Sequence, residues 1–213
     1  MSQSILWVVK LGGSLAQSQH LPRWLDALSQ TDAIIVPGGG PFADAVRKAQ
    51  RHWHFDEATA HHMAILGMRQ CGRMLAGLCP RLLMATTLEE LRASPDRARV
   101  WLPMPETLDE AKIPATWDIT SDSLAAWLAG QVQAANLLLV KSIEGITSPG
   151  AMVSLDSAQL VNQGWVDPVF PEYATKGRFQ SWLCGPEACQ NLDLALASPE
   201  NCFIHIAPIS SAI

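Results

Sequence analysis

The chain has 213 residues, of which 48% are hydrophobic, and this size suits one α/β domain with a sizeable core. Its net charge of -5, its charged fraction of 16% and the lack of any basic run exclude a nucleic-acid-binding surface and leave a small molecule as the expected partner. Five cysteines, odd in number and scattered through apolar segments, predict the reduced core residues of a cytosolic protein.

Targeting and metal-binding signals are also missing from the sequence. There is no basic leader followed by a long apolar core, and no run approaches about 18 uninterrupted apolar residues. We therefore expect a cytoplasmic protein without a membrane partner. Cys184 and Cys189 are too widely spaced for the usual zinc-binding pair, and no second pair matches them, so we predict no metal site built from protein side chains.

The first strong element is an apolar run at residues 5–9 that leads into Lys10 and a turn containing Gly12 and Gly13. Such a run predicts a parallel strand, since a strand covered on both faces needs no alternation. The glycines allow a sharp turn whose amide N–H groups can face an anion, and Lys10 lies where open α/β sheets bind their ligands. Two interpretations stay open for this motif alone: a phosphate site, or a tight turn beside a lysine that reaches solvent.

A second unit of the same kind follows. After a crossover helix predicted by apolar spacing at residues 21–28, a strand at residues 33–36 ends in Pro37 and three glycines, Gly38, Gly39 and Gly40. Three consecutive glycines lose more conformational entropy than a plain turn requires, so close approach of a ligand to the backbone is the favoured explanation. Neither the nucleotide P-loop pattern nor the dinucleotide fingerprint is present, so the ligand is held in some other way.

Two helices are predicted next. The first begins after the third glycine and carries Arg47 and Lys48 near its solvent side, where both can be plain surface charges. The second runs from about residue 56 to residue 78 and carries His61 and His62. Most histidines on such helices are solvated or satisfied structurally, so contact with a substrate is the minority interpretation for each.

The centre of the chain holds a polar cluster and a third buried strand. Short apolar runs at 82–85 and 100–103 predict strands, and three prolines predict a loop at 103–114. Thr120, Ser121 and Asp122 open the next helix; each can cap it, but three polar groups in a row favour an additional role. The strand at 136–140 again ends in a lysine, Lys141.

The last third of the sequence continues the alternation of strands and helices. We predict a short helix at 155–161, a polar and aromatic segment at 164–177 with Lys176 near its end, a strand at 182–185, a helix at 186–197 and a strand at 202–206. Alternating strands and helices imply a parallel sheet with right-handed crossovers. The predicted fold is a single α/β domain over 1–213, a three-layer αβα sandwich in which Val9, Ile35 and Leu139 lie buried in neighbouring central strands.

Three motifs resemble the amino acid kinase superfamily: residues 10–14, residues 37–43 and residues 119–124. The similarity covers almost the whole chain. The pair Arg47 and Lys48, the position of His61 and the run from Trp117 are most similar to the methanofuran-biosynthesis kinases. Those enzymes phosphorylate an aminomethyl-furanmethanol phosphate to its diphosphate, so the resemblance implies that reaction.

The resemblance also implies roles for individual residues. Lys10 corresponds to the lysine that neutralises the transferring phosphoryl group, Asp122 to the acid that orients the active-site lysines, and Lys176 is the candidate for the second catalytic lysine. Phosphate or nucleotide contacts are expected from Lys10, Gly12, Gly13, Ser14, Lys141, Ser142 and Gly145. Acceptor contacts are expected from Gly38, Gly39, Gly40, Arg47, His61, Thr120 and Ser121. ATP is the implied phosphoryl donor, Mg²⁺ arrives bound to ATP, and the protein is expected to be a homo-oligomer.

One segment departs from the family pattern. Residues 141–146 read Lys-Ser-Ile-Glu-Gly-Ile where the family usually has Thr-Asp-Val-Asp-Gly-Ile. This change favours a second interpretation, a binding module that has lost phosphoryl transfer, although retention of Lys10, Asp122 and both glycine turns opposes it. A kinase of another small carboxylate or phosphate is a further alternative. An NAD-dependent oxidoreductase would share the sheet but requires a fingerprint that the sequence lacks.

Overall fold

The computed structural model describes residues 5–93, 96–143 and 153–208. Within these ranges eight strands form one sheet, in the spatial order β3-β4-β2-β1-β5-β7-β8-β6. In chain order the strands are β1 (Trp7–Leu11), β2 (Ile34–Pro37), β3 (Leu83–Ala85), β4 (Arg99–Trp101), β5 (Asn136–Val140), β6 (Ser154–Asp156), β7 (Gln180–Cys184) and β8 (Ile204–Ala207).

The described α-helices lie between these strands. They are α1 (Leu21–Leu28), α2 (Gly40–Trp53), α3 (Glu57–Leu78), α4 (Leu88–Ala93), α5 (Pro105–Glu110), α6 (Ser121–Gln131), α7 (Ser157–Asn162), α8 (Phe170–Lys176) and α9 (Leu192–Ala197). Short 3-10 helices occupy Gly13–Gln17, Pro186–Cys189 and Pro199–Asn201. None of the helices in the described ranges combines the length and the apolar character needed to span a membrane.

The sheet is mainly parallel, as predicted. The strands from β3 to β7 in the spatial order all pair in parallel, whereas β8 runs antiparallel to β7 and carries β6 parallel to itself at the edge. Strands β1, β2 and β5 lie in the middle and are covered on both faces, which explains their uninterrupted apolar sequences.

Helices cover both faces of the sheet. Because side chains alternate along a strand, Val8 and Leu139 pack on one face with the apolar side of α6, while Val9 and Leu138 pack on the other with α1. The predicted three-layer αβα sandwich is therefore confirmed, and Val9, Ile35 and Leu139 are fully buried in adjacent strands. That residues 1–213 form a single domain stays a prediction.

Two predicted irregular segments contain short helices. Residues 103–114 were expected to form a loop, but α5 begins at Pro105, and the segment 164–177 contains α8, which has Pro171 in its first turn. Proline lacks an N–H that the first turn would leave unpaired in any case, so it starts these helices instead of breaking them. The predicted helix at 186–197 is divided into a 3-10 turn and α9, because Asn191 takes a left-handed conformation with φ 55°.

Strand register places the functional segments at one level. Leu11 is paired with Pro37 of β2 on one side and with Val140 of β5 on the other, so all three strands end together. The next residues along each strand are Gly12, Gly38 and Lys141. The carboxyl edge of the sheet therefore brings two glycine turns and a lysine side by side.

We predict that Leu138→Ala lowers the free energy of unfolding by about 2–5 kcal/mol, because it opens a cavity in the fully buried centre of β5. The matched control is Leu194→Ala on α9, where the leucine is 70% exposed and the loss should stay within about 0.5 kcal/mol. Urea unfolding of both variants measures the difference. Equal losses would contradict the position of β5 in the core.

Candidate active site

The centre of the site is built by two strand-end lysines on the same face of the sheet. Lys10 is paired with Leu139 across β1 and β5. Since side chains alternate along a strand, Lys141, two residues after Leu139, projects to the same face as Lys10. That face is covered by α6, whose first turn carries Asp122.

Asp122 lies between the two lysines. Lys10 Nζ is 2.8 Å from Asp122 Oδ1, and Lys141 Nζ donates a hydrogen bond to Asp122 Oδ2 over 2.5 Å. The Lys10 and Asp122 side chains are each 4% exposed, and the Lys141 side chain is 16% exposed. A carboxylate in the first turn of a helix is further stabilised by the helix dipole.

Burial and mutual charge set the pKa values of this cluster. The pKa of Lys10 is lowered to about 8, mainly by burial; the Asp122 carboxylate opposes this lowering, and the Lys141 charge adds to it. Burial on its own would raise the pKa of Asp122, but the two neighbouring ammonium groups outweigh burial and hold that pKa below its ordinary value. Asp122 is therefore ionised at neutral pH, while Lys10 stands close to its titration point.

Asp167, which the sequence analysis did not single out, fixes the start of α6. The N–H and hydroxyl groups of Thr120 both donate to Asp167 Oδ2 over 2.8 Å, and the Ser123 N–H donates to the same oxygen over 3.0 Å. The Ser123 hydroxyl and the Phe170 N–H donate to the other oxygen. Asp167 belongs to the connection before α8, so no local pattern could have linked it to Asp122.

The two glycine turns pack directly against each other. A Cβ at Gly13 would lie 2.8 Å from Gly40 N, and one at Gly38 would clash with Gly13. Gly40 has φ 50°, a left-handed conformation that favours glycine. Backbone-to-backbone packing is therefore a cause of the glycine run in addition to the ligand approach expected from sequence. The Gly12 N–H donates to Val140 O, so this predicted donor is already occupied.

A cavity of about 320 Å³ opens beside these turns. Its floor is apolar and includes Ile65, Met68 and Leu124, and its rim includes the first residues of both α2 and α6. The N-terminus of α2 thus points free N–H groups and partial positive charge into the cavity, which suits an anion. At the start of α6, by contrast, the N–H groups of Asp122 and Ser123 already donate to Thr120 and Asp167. Of the predicted acceptor residues, those that line the cavity are Gly39, Gly40, Arg47, His61, Thr120 and Ser121.

His61 is the most unusual of these lining residues. It is 3% exposed, and neither ring nitrogen has a hydrogen-bond partner among the described residues. Burial lowers the pKa of His61, the nearby His62 ring acts in the same direction, and the Ile119 backbone opposes them. A neutral, buried and unpaired imidazole beside a cavity is a ready donor to a bound ligand.

Trp117 forms one wall of the cavity, a contribution that the sequence motif alone did not reveal. Its indole N–H donates to Gln50 over 2.8 Å and its backbone N–H donates to Glu57 over 3.0 Å. The Arg47 guanidinium lies over the indole ring, 4.3 Å from the ring centre, and is 3.3 Å from Asp44. These contacts place one cation and one carboxylate at the mouth of the cavity, since Arg47 and Asp44 both line it.

The predicted position of Lys176 beside Lys10 and Asp122 is wrong. Lys176 is 70% exposed at the end of α8, and its Nζ pairs with Glu172 over 2.6 Å, as expected for residues four apart on a helix. It borders the same pocket as Ala129 and Gly130, near the C-terminal end of α6. Asp122 is in the first turn of that helix, about 12 Å away along its axis.

The remaining predicted residues are less defined. Ser14 and Ser142 are exposed near the glycine turn and Lys141 respectively, and Gly145 lies outside the described residues. Among the residues that the structure describes, no group of three or more His, Cys, Asp or Glu side chains could hold a metal ion. Both carboxylate oxygens of Asp122 are paired with lysines, so the described side chains offer no ligand set for a Mg²⁺ ion bound by the protein.

Comparison with known proteins defines the class. Residues 6–163 match the amino acid kinase family. The chain is 26% identical over 147 residues to the (5-(aminomethyl)furan-3-yl)methyl phosphate kinase of Methanocaldococcus jannaschii, an alignment that covers 65% of this chain and 67% of that protein. The fold and these similarities define a phosphotransferase.

Solved structures show the same fold. The uridylate kinase from Archaeoglobus fulgidus superimposes with a TM-score of 0.70 at 19% identity, covering 94% of this chain and 99% of that one. The UMP kinase from Ureaplasma parvum gives a TM-score of 0.69 at 12% identity, covering 97% and 100% of the two chains. The protein described here belongs to the amino acid kinase family. This membership rules out the alternative of an NAD-dependent oxidoreductase.

We predict that Asp122→Asn lowers the pKa of Lys10 below about 8, because burial and Lys141 then act without the opposing carboxylate. An NMR titration of the lysine ammonium resonances measures this shift. Lys176 is the control, since Glu172 raises its pKa and the substitution should leave it unchanged.

The same titration has a consequence for stability. The pKa of Lys10 is lower in the native state than in the unfolded chain, so the unfolded chain binds more protons between pH 8 and 10.5. The contribution of Lys10 to the free energy of unfolding therefore increases as the pH rises from about 8 towards 10.5. In Asp122→Asn that gain should begin at lower pH. A Lys10 pKa that stays near 8 in the variant would contradict the ion pair.

Proposed function

We propose that this protein transfers the γ-phosphoryl group of ATP to the phosphate of an aminomethyl-furanmethanol phosphate, giving the diphosphate. The observation that carries the proposal is the buried Lys10 ammonium group, paired with Asp122 beside a cavity that the N-terminus of α2 makes favourable for an anion. The choice of acceptor follows the furan phosphate named for the Methanocaldococcus jannaschii relative, a small anion with an apolar ring, and the cavity's apolar floor and polar rim support it.

The acceptor's three chemical parts have matching groups in the cavity. We assign its phosphate to the amides at Gly39 and Gly40, with the buried His61 ring and Arg47 as further donors. We assign its furan ring to the apolar floor and the Trp117 wall. The Asp44 carboxylate at the mouth, which is 73% exposed, is the group that suits the acceptor's amine. Thr120 is a weaker candidate because its hydroxyl is committed to Asp167.

The transfer needs no proton movement. An oxygen of the acceptor phosphate dianion forms a bond to the γ-phosphorus as the bond to the β–γ bridging oxygen breaks, and the electron pair of that bond leaves with ADP. The charge on the transferring group is then spread over its equatorial oxygens, where a fixed ammonium group stabilises it. Lys10 supplies that charge, and Asp122 keeps the ammonium group oriented.

The nucleotide side lies on the other side of the Lys10 head. A Cβ placed on Gly12 would be 3.7 Å from Lys10 Nζ, so the lysine head lies directly at this turn. We assign nucleotide phosphates to Ser142 and to the Gly13 and Ser14 end of the turn, which also borders the acceptor cavity. The expected contact from Gly145 stays a prediction. Mg²⁺ would be carried by the nucleotide phosphates, and no residue of the chain is assigned to it.

The cellular context is part of the proposal. All five cysteines are free, which suits a reducing compartment, so we place the enzyme in the cytoplasm. A homo-oligomer stays a prediction.

The acceptor assignment predicts that the purified protein, given ATP and Mg²⁺, phosphorylates the furan phosphate with a higher kcat/KM than UMP, acetylglutamate or other small phosphates. His61→Ala should raise the KM for the acceptor, because it removes an unpaired donor at the cavity. The matched control is His62→Ala, which removes an exposed neighbour paired with Asp109 and should leave KM unchanged. A clear preference for UMP or acetylglutamate would refute the proposed acceptor, while the proposed kinase activity would stand.

The catalytic assignment predicts that Lys10→Ala lowers kcat by about 10²–10³, the loss expected for one preorganised charge at the transferring group. In the wild type, kcat/KM should fall as the pH rises above about 8, because the free enzyme then loses the Lys10 proton. The exposed Lys176→Ala is the control and should turn over normally. Near-normal turnover in the Lys10 variant would refute the mechanism.

A further inference from the structure

The cluster of Lys10, Lys141 and Asp122 carries one more positive charge than negative charge when both lysines are protonated. Two ammonium groups, on Lys10 and Lys141, share the single carboxylate of Asp122, and no other charged partner is recorded for the cluster among the described residues. A buried carboxylate requires one counter-charge, and removing water from a second cation is unfavourable unless another anion compensates it. The surplus charge therefore calls for an anionic ligand.

The two lysines differ in how accessible their side chains are to that ligand. Lys10 is 4% exposed in its side chain, whereas Lys141 is 16% exposed and follows the last residue of β5. Its backbone is held in place, because the Lys141 N–H donates to Cys184 O of the neighbouring β7 over 3.0 Å. Lys141 is thus a rigidly based cation at the carboxyl edge, level with the Gly12 turn.

We propose that Lys141 is the second catalytic cation of this enzyme and contacts the transferring phosphoryl group opposite Lys10. The inference rests on the proposed kinase function. In the bound state each ammonium group stays paired with Asp122 and turns its remaining N–H groups to the oxygens of the phosphoryl group. The acceptor oxygen still forms the new bond and ADP still leaves with the electron pair, so the lysines supply charge and no proton.

This assignment gives a physical meaning to the departure of residues 141–146 from the family pattern. A lysine stands where the family usually has a threonine, and the structure shows that its ammonium group reaches the orienting aspartate. Lys176, the residue expected to be the second catalytic lysine, is instead paired with Glu172 in solvent. The second cation has therefore moved to β5 in this chain.

The test compares Lys141→Thr, which installs the usual family residue, with Lys141→Arg and Lys176→Ala. Removing Lys141 leaves Lys10 and Asp122 as a balanced pair, so the variant should fold, and circular dichroism with thermal unfolding checks this. We expect Lys141→Thr to lower kcat by about 10²–10³ with whichever acceptor the wild type phosphorylates. Lys141→Arg keeps the positive charge and should lose less, and Lys176→Ala should be normal.

A binding measurement separates this proposal from the acceptor assignment. Calorimetric titration of ADP and of the β,γ-imido analogue of ATP needs no acceptor, and the wild type should bind the analogue more tightly because both lysines meet its γ-phosphate. Lys141→Thr should lose most of that preference while its affinity for ADP stays unchanged.

The outcomes are distinct. A wild-type protein that shows the preference but does not phosphorylate the furan phosphate refutes the acceptor, while loss of the preference in Lys141→Thr still supports the second cation. Unchanged kcat and unchanged preference in Lys141→Thr overturn the role of Lys141 and leave the proposed function intact. Loss of both in Lys176→Ala instead would return the role to Lys176. If Lys141→Thr does not fold, Lys141→Arg takes its place in the test. A kcat of Lys141→Arg as low as that of Lys10→Ala would show that a positive charge at this position does not support turnover, and would overturn the proposal.

Discussion

The site depends on the pairing of one carboxylate, Asp122, with two lysine ammonium groups. Asp122 is buried and stays ionised because two ammonium groups reach it, while burial brings the Lys10 pKa down to about 8. That balance requires β1 and β5 to end level, so that both lysines project to the face under α6. It also requires the start of α6 to be immobile, which Asp167 provides through its hydrogen bonds to Thr120 and Ser123.

Close backbone packing is the second constraint, and it links the fold to the cavity. The turns after β1 and β2 approach so closely that side chains at Gly13 or Gly38 would collide with the opposite turn. The same approach puts the N-terminus of α2 beside that of α6, so a structural requirement of the sheet edge produces a space favourable for anions. Glycine at these positions is therefore required by packing, whether or not a ligand is bound.

The cavity combines groups that a small phosphate ester would use. The cavity has an apolar floor, an unpaired buried imidazole at His61 and a stacked pair of Arg47 and Trp117. A buried polar group without a partner is unfavourable, so this arrangement indicates that the cavity binds a ligand. The family membership accounts for phosphoryl transfer, and the apolar floor and polar rim of the cavity are the observations on which the proposed acceptor rests.

The sequence by itself determined the buried strands through Val9, Ile35 and Leu139 and the two glycine turns, because apolar runs and consecutive glycines are local signals. It also drew attention to Lys10 at a strand end and Asp122 at a helix start, whose catalytic roles stay predictions. It did not determine α5 and α8, since a proline can begin a helix as well as interrupt one. Only the tertiary structure decided that Lys141, and not Lys176, meets Asp122, and that Asp167 holds the start of α6. Those contacts depend on strand register and on which end of a helix faces the sheet edge, and spacing along the chain encodes neither.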